Sequence, residues 1–273
     1  MKLGIFTYPF RKISKFSQAA SMIAKIGYRY IELCVWDDSD LSLNRINKED
    51  IERISKVCDD FGLTILALGA HVDHLGETKE ERTCAVNYTK KAIRLAAEIQ
   101  VPVVTTFVTR GIDPSYSKKT AILILIDSAT EEAKYAEQYG VKIALEPHGG
   151  TILNNIDDFL WFLEKVDSSC YQFNLDVSYF FLKGEDPLVA TDRLLKFAIH
   201  AHAKGCVGRY PNFQCPAPSK EQEFPFELWI KKLKDYGYSQ GICVDLAEDI
   251  SLEKLEKEAR KAYYHLTEIT KFY

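Results

Sequence analysis

Val141-Lys-Ile-Ala-Leu-Glu146-Pro-His-Gly-Gly150 is the stretch on which the fold turns. Val141, Ile143 and Leu145 alternate with Lys142, Ala144 and Glu146, a period of two that puts three apolar side chains on one face of a strand and Glu146 on the other. Pro147 has no backbone donor and Gly149-Gly150 breaks regular structure, so the strand stops with Glu146 at its C-terminal end and His148 just beyond. One carboxylate at a strand end is usually a surface group, but the arrangement recurs. Phe173, Leu175 and Val177 alternate with Gln172, Asn174 and Asp176; Ile199, Ala201 and Ala203 with His200, His202 and Lys204; Ile242, Val244 and Leu246 with Gly241, Cys243 and Asp245. In each strand one face packs on helices and the other ends in a side chain able to ligate a metal: Glu146, Asp176, His202 or Asp245.

Outward from there the chain keeps one rhythm. Strands are predicted at Lys2 to Tyr8, Tyr30 to Val35, Leu63 to Leu68 and Pro102 to Phe107. Helices are predicted at Phe16 to Ile26, Ile51 to Phe61, Glu80 to Ile99, Lys118 to Tyr139, Ile156 to Val166, Pro187 to Phe197, Pro225 to Tyr236 and Leu252 to Ile269. Strands that alternate with helices imply a parallel sheet, because each connection must cross back over it. Eight such units in 273 residues fit a single α/β domain, a (β/α)8 TIM barrel over residues 1–273, with an open doubly wound sheet as the alternative. The longest irregular piece, Gly205 to Phe224, follows the seventh strand, where it is either a substrate-contacting loop or a plain connection.

Composition excludes several classes. Hydrophobic residues at 47% and charged residues at 27% build an ordinary core, and a net charge of −4 without basic runs argues against nucleic acid as a partner. No stretch is long and apolar enough for a membrane helix, and the N-terminus reads as a strand, not a secretion signal. Seven cysteines without a CxxC pair suit free thiols in a reducing, cytoplasmic setting; Cys206 and Cys215 lack zinc-site spacing.

With Glu146, Asp176, His202 and Asp245 on four consecutive strands, the chain resembles the sugar isomerase and epimerase branch of the xylose-isomerase-like barrels, which includes ketose 3-epimerases, hydroxypyruvate isomerase and inosose enzymes. Leu-Glu-Pro-His-Gly-Gly at the fifth strand and His-Ala-His-Ala-Lys at the seventh carry the resemblance best. It implies one divalent cation on Glu146, Asp176, His202 and Asp245, with Glu146 and Asp245 as the acid/base pair, and it suggests a homodimer. Two positions depart from the family pattern. Asp245 stands where Glu is usual, so the metal is expected to shift or to bind through a water, and Tyr179 stands where a substrate-holding His is common.

Three carboxylates and an imidazole suit Mn²⁺, Mg²⁺ or Co²⁺, with Zn²⁺ possible. Such a site can stabilise an enediolate while a carboxylate moves a proton, giving epimerisation or isomerisation of a small keto-sugar or polyol derivative. Loss of a β-hydroxyl would make it a dehydratase, and a barrel that binds sugar without turnover is a third reading. Tyr8, Trp36, His71, His148 and Lys204 are candidates for substrate contact; Glu32 and Phe107 share the expected top face. His71-Val-Asp-His74 reads as a hydrogen-bonded or solvated loop, His200 as a satisfied core histidine, and His265 as exposed.

Overall fold

Eight parallel strands close into a barrel in the computed structural model, which describes residues 1–76, 78–108, 117–247 and 250–272. In chain order the strands are β1 (Lys2–Phe6), β2 (Tyr30–Cys34), β3 (Thr64–Gly69), β4 (Val103–Phe107), β5 (Lys142–Glu146), β6 (Tyr171–Leu175), β7 (Ala198–Ala203), β8 (Val207–Arg209), β9 (Asn212–Gln214) and β10 (Gly241–Val244). β8 and β9 form a separate antiparallel hairpin; the others run around the barrel as β1-β10-β7-β6-β5-β4-β3-β2. The helices are α1 (Phe16–Ile26), α2 (Lys48–Phe61), α3 (Lys79–Glu98), α4 (Lys118–Tyr139), α5 (Ile156–Val166), α6 (Ser178–Leu182), α7 (Pro187–Leu194), α8 (Phe226–Asp235) and α9 (Leu252–Phe272).

Local signals fix many of the boundaries. Asn47 and Asp50 form a reciprocal capping box at the start of α2, as Thr78 and Glu81 do for α3, each cap contributing about 1 kcal/mol. Gly140 ends α4 with φ 65°, a left-handed conformation that costs glycine little. The outward strand residues Ile31, Leu33, Ile143, Leu145, Phe173 and Leu175 are buried beneath the helices in the main core.

The structure corrects three expectations. Gly205 to Phe224 contains the β8–β9 hairpin, whose three-residue strands are too short to show alternation. α6 was not predicted because five residues cannot show a helical period. His265 is buried, not exposed: it lies beside Leu266 on α9, with its ring 5.8 Å from that of Phe226. Among the described residues no helix is long and apolar enough to cross a membrane.

The loop after β3 is anchored from below by one buried histidine. His74 Nδ1 lies 3.0 Å from the Phe107 carbonyl, and its Nε2 lies 3.0 Å from Glu132 on α4 and 3.3 Å from Thr89 on α3. Burial works against charge on His74, but the Glu132 carboxylate outweighs it and the pKa is raised. A raised histidine pKa stabilises the fold fully below the unfolded value of about 6.5, and the benefit fades as pH climbs through the folded value. Glu132→Gln is therefore expected to cost about 3 kcal/mol near pH 6, with the gap to wild type narrowing toward alkaline pH in urea titrations. A gap independent of pH would show that the pair is not charged.

Candidate functional site

The strand ends deliver four metal-competent side chains to one point. Glu146 is the last residue of β5, Asp176 and Asp245 each follow their strands by one residue, and His202 lies within β7. All four are buried, and each offers one ligand atom within 4.8 Å of the other three. Donors about 2.0–2.6 Å from one cation would be separated by about this much. Asp245 therefore reaches the cluster despite its shorter side chain.

The hydrogen bonding supports the fit. Glu146 Oε2, Asp176 Oδ2 and His202 Nδ1 are buried without a hydrogen-bond partner, a costly state for three polar atoms in one place. Their other atoms are committed. Asp176 Oδ1 accepts from the Ser178 amide and hydroxyl. His202 Nε2 donates to Glu32 Oε2 at 2.6 Å, which leaves Nδ1 facing Glu146 Oε1 at 3.3 Å. These atoms form a donor set that a divalent cation would complete.

The electrostatics follow from burial and neighbours. Burial pushes the Asp176 carboxyl up to about 6, with Lys204 pulling the other way. Burial also opposes ionisation of Glu146, but the adjacent His202, with His71 and Lys204, holds this carboxyl below the usual range. His202 is raised well above an ordinary imidazole, because Glu32 and Glu146 outweigh its burial. Lys204 pairs with Asp245 Oδ2 and is raised by that contact against the effect of burial.

Five residues expected to contact substrate, Tyr8, Trp36, His71, His148 and Lys204, line a cavity of about 980 Å³ above these groups, together with Phe107 and Tyr179. His71 Nε2 is 3.3 Å from Glu146 Oε2. The His148 ring lies between Phe107 and Tyr179, at 5.5 and 5.1 Å. Tyr179 sits 5.4 Å from Lys204 Nζ, so its ring covers the lysine.

Glu32 was expected on the top face, but it lies in mid-strand at the floor of the site, fully buried. Its Oε2 accepts from His200 at 2.9 Å as well as from His202, and its Oε1 accepts from Thr105. Burial would raise this carboxyl, yet the two imidazoles hold it well below the usual range. Glu32, His200 and Cys243 also cluster closely, but they make a poor metal site: hydrogen bonds occupy the carboxylate, and burial keeps the Cys243 thiol protonated. The sequence signal for Glu32 was its inward parity; its depth depended on strand register. The cavity wall from Phe213 to Ala217 carried no signal beyond the length of its loop.

Residues 20–268 match the family model for the xylose isomerase-like TIM barrel. No curated protein matches the chain by sequence. Among solved structures, a D-tagatose 3-epimerase-like protein is 19% identical with a TM-score of 0.83, covering 100% of this chain and 98% of its own. The IOLI protein with a bound zinc atom is 20% identical with a TM-score of 0.83, covering 100% and 99%. The probable 3-DHS dehydratase AsbF of Bacillus anthracis is 17% identical with a TM-score of 0.79, covering 98% and 99%. At these identities the likeness is one of fold.

Glu32→Gln keeps the size of the side chain but weakens its hold on both imidazole N–H groups. At a pH high enough to leave the ring neutral, the His202 tautomer, read from imidazole ¹⁵N shifts, is expected to become mixed, and Mn²⁺ binding by calorimetry to weaken about 10- to 100-fold. An unchanged tautomer and affinity would remove Glu32 from the site's support.

Proposed function

Because the chain belongs to the xylose isomerase-like TIM barrel family, we propose that it is a divalent-metal-dependent isomerase or epimerase of a small keto-sugar or polyol derivative. The observation that carries this reading is the convergence of three unpartnered buried atoms, on Glu146, Asp176 and His202, beside Asp245. These four residues would hold the cation. Three carboxylates and one imidazole suit Mn²⁺, Mg²⁺ or Co²⁺, and the zinc in the IOLI structure keeps Zn²⁺ in the set. When bound, a divalent cation supplies stabilisation of negative charge on substrate oxygens.

The chain's own residues supply the rest. Glu146, held ionised, can accept a proton from the carbon beside a carbonyl. Asp245 stands on the far side of β6 and β7 from Glu146, so the two carboxylates border the substrate from different strands. Return of the proton to the opposite face of the same carbon gives an epimer; return to the neighbouring carbon gives an isomer. Tyr8, Trp36 and Phe107 offer ring surface to sugar C–H groups, while His71, His148 and Lys204 offer hydrogen bonds to hydroxyls.

The Lys204–Asp245 pair favours a second reading. A protonated amine beside that carboxylate can pass a proton to a leaving hydroxyl, which would make the reaction a dehydration. The fold shared with a probable dehydratase is compatible with it. A product lighter than its substrate by one water would decide for this reading over isomerisation.

The first test is metal content by elemental analysis, for wild type, Glu146→Ala and His202→Ala. One divalent ion per chain, lost in both variants, is the expected result. A wild-type protein that takes up no metal after incubation with Mn²⁺ would overturn the proposal and leave a barrel that binds sugar without turnover. With a ketose that exchanges hydrogen in deuterated water, Glu146→Gln is expected to slow exchange about 10²- to 10⁴-fold.

A further inference from the structure

Beside the cavity, two thiols are placed to react with each other. Cys206, three residues past the end of β7, is fully buried, with Sγ 3.7 Å from the Lys204 carbonyl and 3.9 Å from that of Ser178. β8 and β9 pair with Val207 opposite Gln214, Gly208 opposite Phe213 and Arg209 opposite Asn212. One further step along that ladder sets Cys206 opposite Cys215. Directly opposed antiparallel residues have Cα atoms about 4.5–5.5 Å apart, inside the span of about 4.4–6.8 Å that a disulfide bridges. Both thiols are free.

The two sulfurs are not equivalent. Cys215 is half-buried and lines the cavity, whereas Cys206 lies behind it. The neighbouring Cys206 lowers the Cys215 pKa, and the charge on Lys204 adds to the effect; the neighbouring Cys215, with burial, raises Cys206. Cys215 thus has the character of an attacking thiolate and Cys206 that of its resolving partner. Elsewhere burial raises Cys34 to about 12 and Cys58 to about 11, and it raises Cys243 as well.

We propose that Cys206 and Cys215 form a reversible disulfide that pins the wall of the cavity, with a hydroperoxide entering through that cavity as oxidant. The Cys215 thiolate attacks a peroxide oxygen; the O–O bond breaks, leaving a sulfenic acid and, after protonation, water (or an alcohol from an organic peroxide). Cys206 sulfur then attacks the Cys215 sulfur, the S–O bond breaks, and the oxygen departs as water with the Cys206 proton. The thiols lose two electrons and two protons in all, the peroxide is reduced, and a dithiol reverses the bond.

The bond closes the base of a hairpin that already bridges two parts of the rim. Tyr210 N–H donates to the Leu182 carbonyl at 2.9 Å, and the Tyr210 hydroxyl fills the space that a Cβ on Gly149 would occupy. Phe213 to Ala217, which form one side of the cavity, would then be tied to the end of β7.

The test uses the full chain, reduced and desalted, treated with hydrogen peroxide and quenched in denaturant with N-ethylmaleimide. Trypsin cuts after Lys204, Arg209 and Lys220, so the link joins two otherwise separate peptides. The expected product is that pair, lighter by two hydrogens and separated again by dithiothreitol. Cys206→Ser should leave a Cys215 sulfenic acid that dimedone traps; Cys215→Ser should leave Cys206 unmodified. Hydrogen exchange over residues 207–214 should slow in the oxidised protein. The proposal is overturned if both thiols stay alkylatable while the exposed Cys84 oxidises, or if the link forms without slowing that exchange. Neither readout depends on a metal or a substrate.

Discussion

A single carboxylate inside the barrel sets the orientation of the metal-competent cluster above it. Glu32, on β2, accepts from Thr105 on β4 and from His200 and His202 on β7, so it ties together strands that are not neighbours in the sheet. Burying a carboxylate costs several kcal/mol unless it is paired and hydrogen-bonded, and here both oxygens are engaged. Satisfying Glu32 as an anion forces His202 to turn Nε2–H downward and Nδ1 upward. The space for this floor is bounded closely: a side chain on Gly69 would strike the Phe6 ring and approach Glu32 Oε1 at 3.4 Å.

Charge counting above the floor leads to the same conclusion as the unpartnered atoms. With His202 neutral so that Nδ1 can act as a donor, Glu32, Glu146, Asp176 and Asp245 face only the Lys204 cation, leaving an excess of three negative charges among these groups if every carboxylate is ionised. Burial and that excess meet in Asp176, pushed up to about 6 although Lys204 is near. A divalent cation on these donors would offset two of those charges and give Glu146 Oε2, Asp176 Oδ2 and His202 Nδ1 a shared partner. Lys204 then belongs to the charge balance, because its amine already pairs with Asp245.

Much of this was legible in the sequence, for a definite reason. The period-two pattern ends in Glu146, Asp176, His202 and Asp245 because outward apolar residues must pack under helices, which commits the alternate residues to the interior. Parity therefore gave the grouping of these four side chains, the barrel and the inward direction of Glu32. It did not give depth, since the height of a residue depends on register: slips between β2 and β3, and between β6 and β7, shift one strand against the next. Nor did it give partners from distant segments, such as Glu132 for His74, or the Cys206–Cys215 pairing, which depends on a hairpin of three-residue strands. His265 was misplaced for a related reason: a helix face is set by what packs on it, here Phe226 of α8.

The division between floor and wall also bears on how such a barrel acquires a particular reaction. Stabilising charge on substrate oxygens serves epimerisation, isomerisation and dehydration alike, so the four donors do not by themselves choose among them. The choice depends on which group stands near the carbon or hydroxyl that gains or loses the proton. In this chain those groups lie above the donors: Lys204 beneath the Tyr179 ring, His148 between Tyr179 and Phe107, and the segment from Phe213 to Ala217. Burial raises the pKa of the Tyr179 phenol, so it stays neutral, with its ring over the lysine. Under the proposed function, proton transfer at that edge falls to Lys204 and Asp245, and the segment from Phe213 to Ala217 shares their cavity.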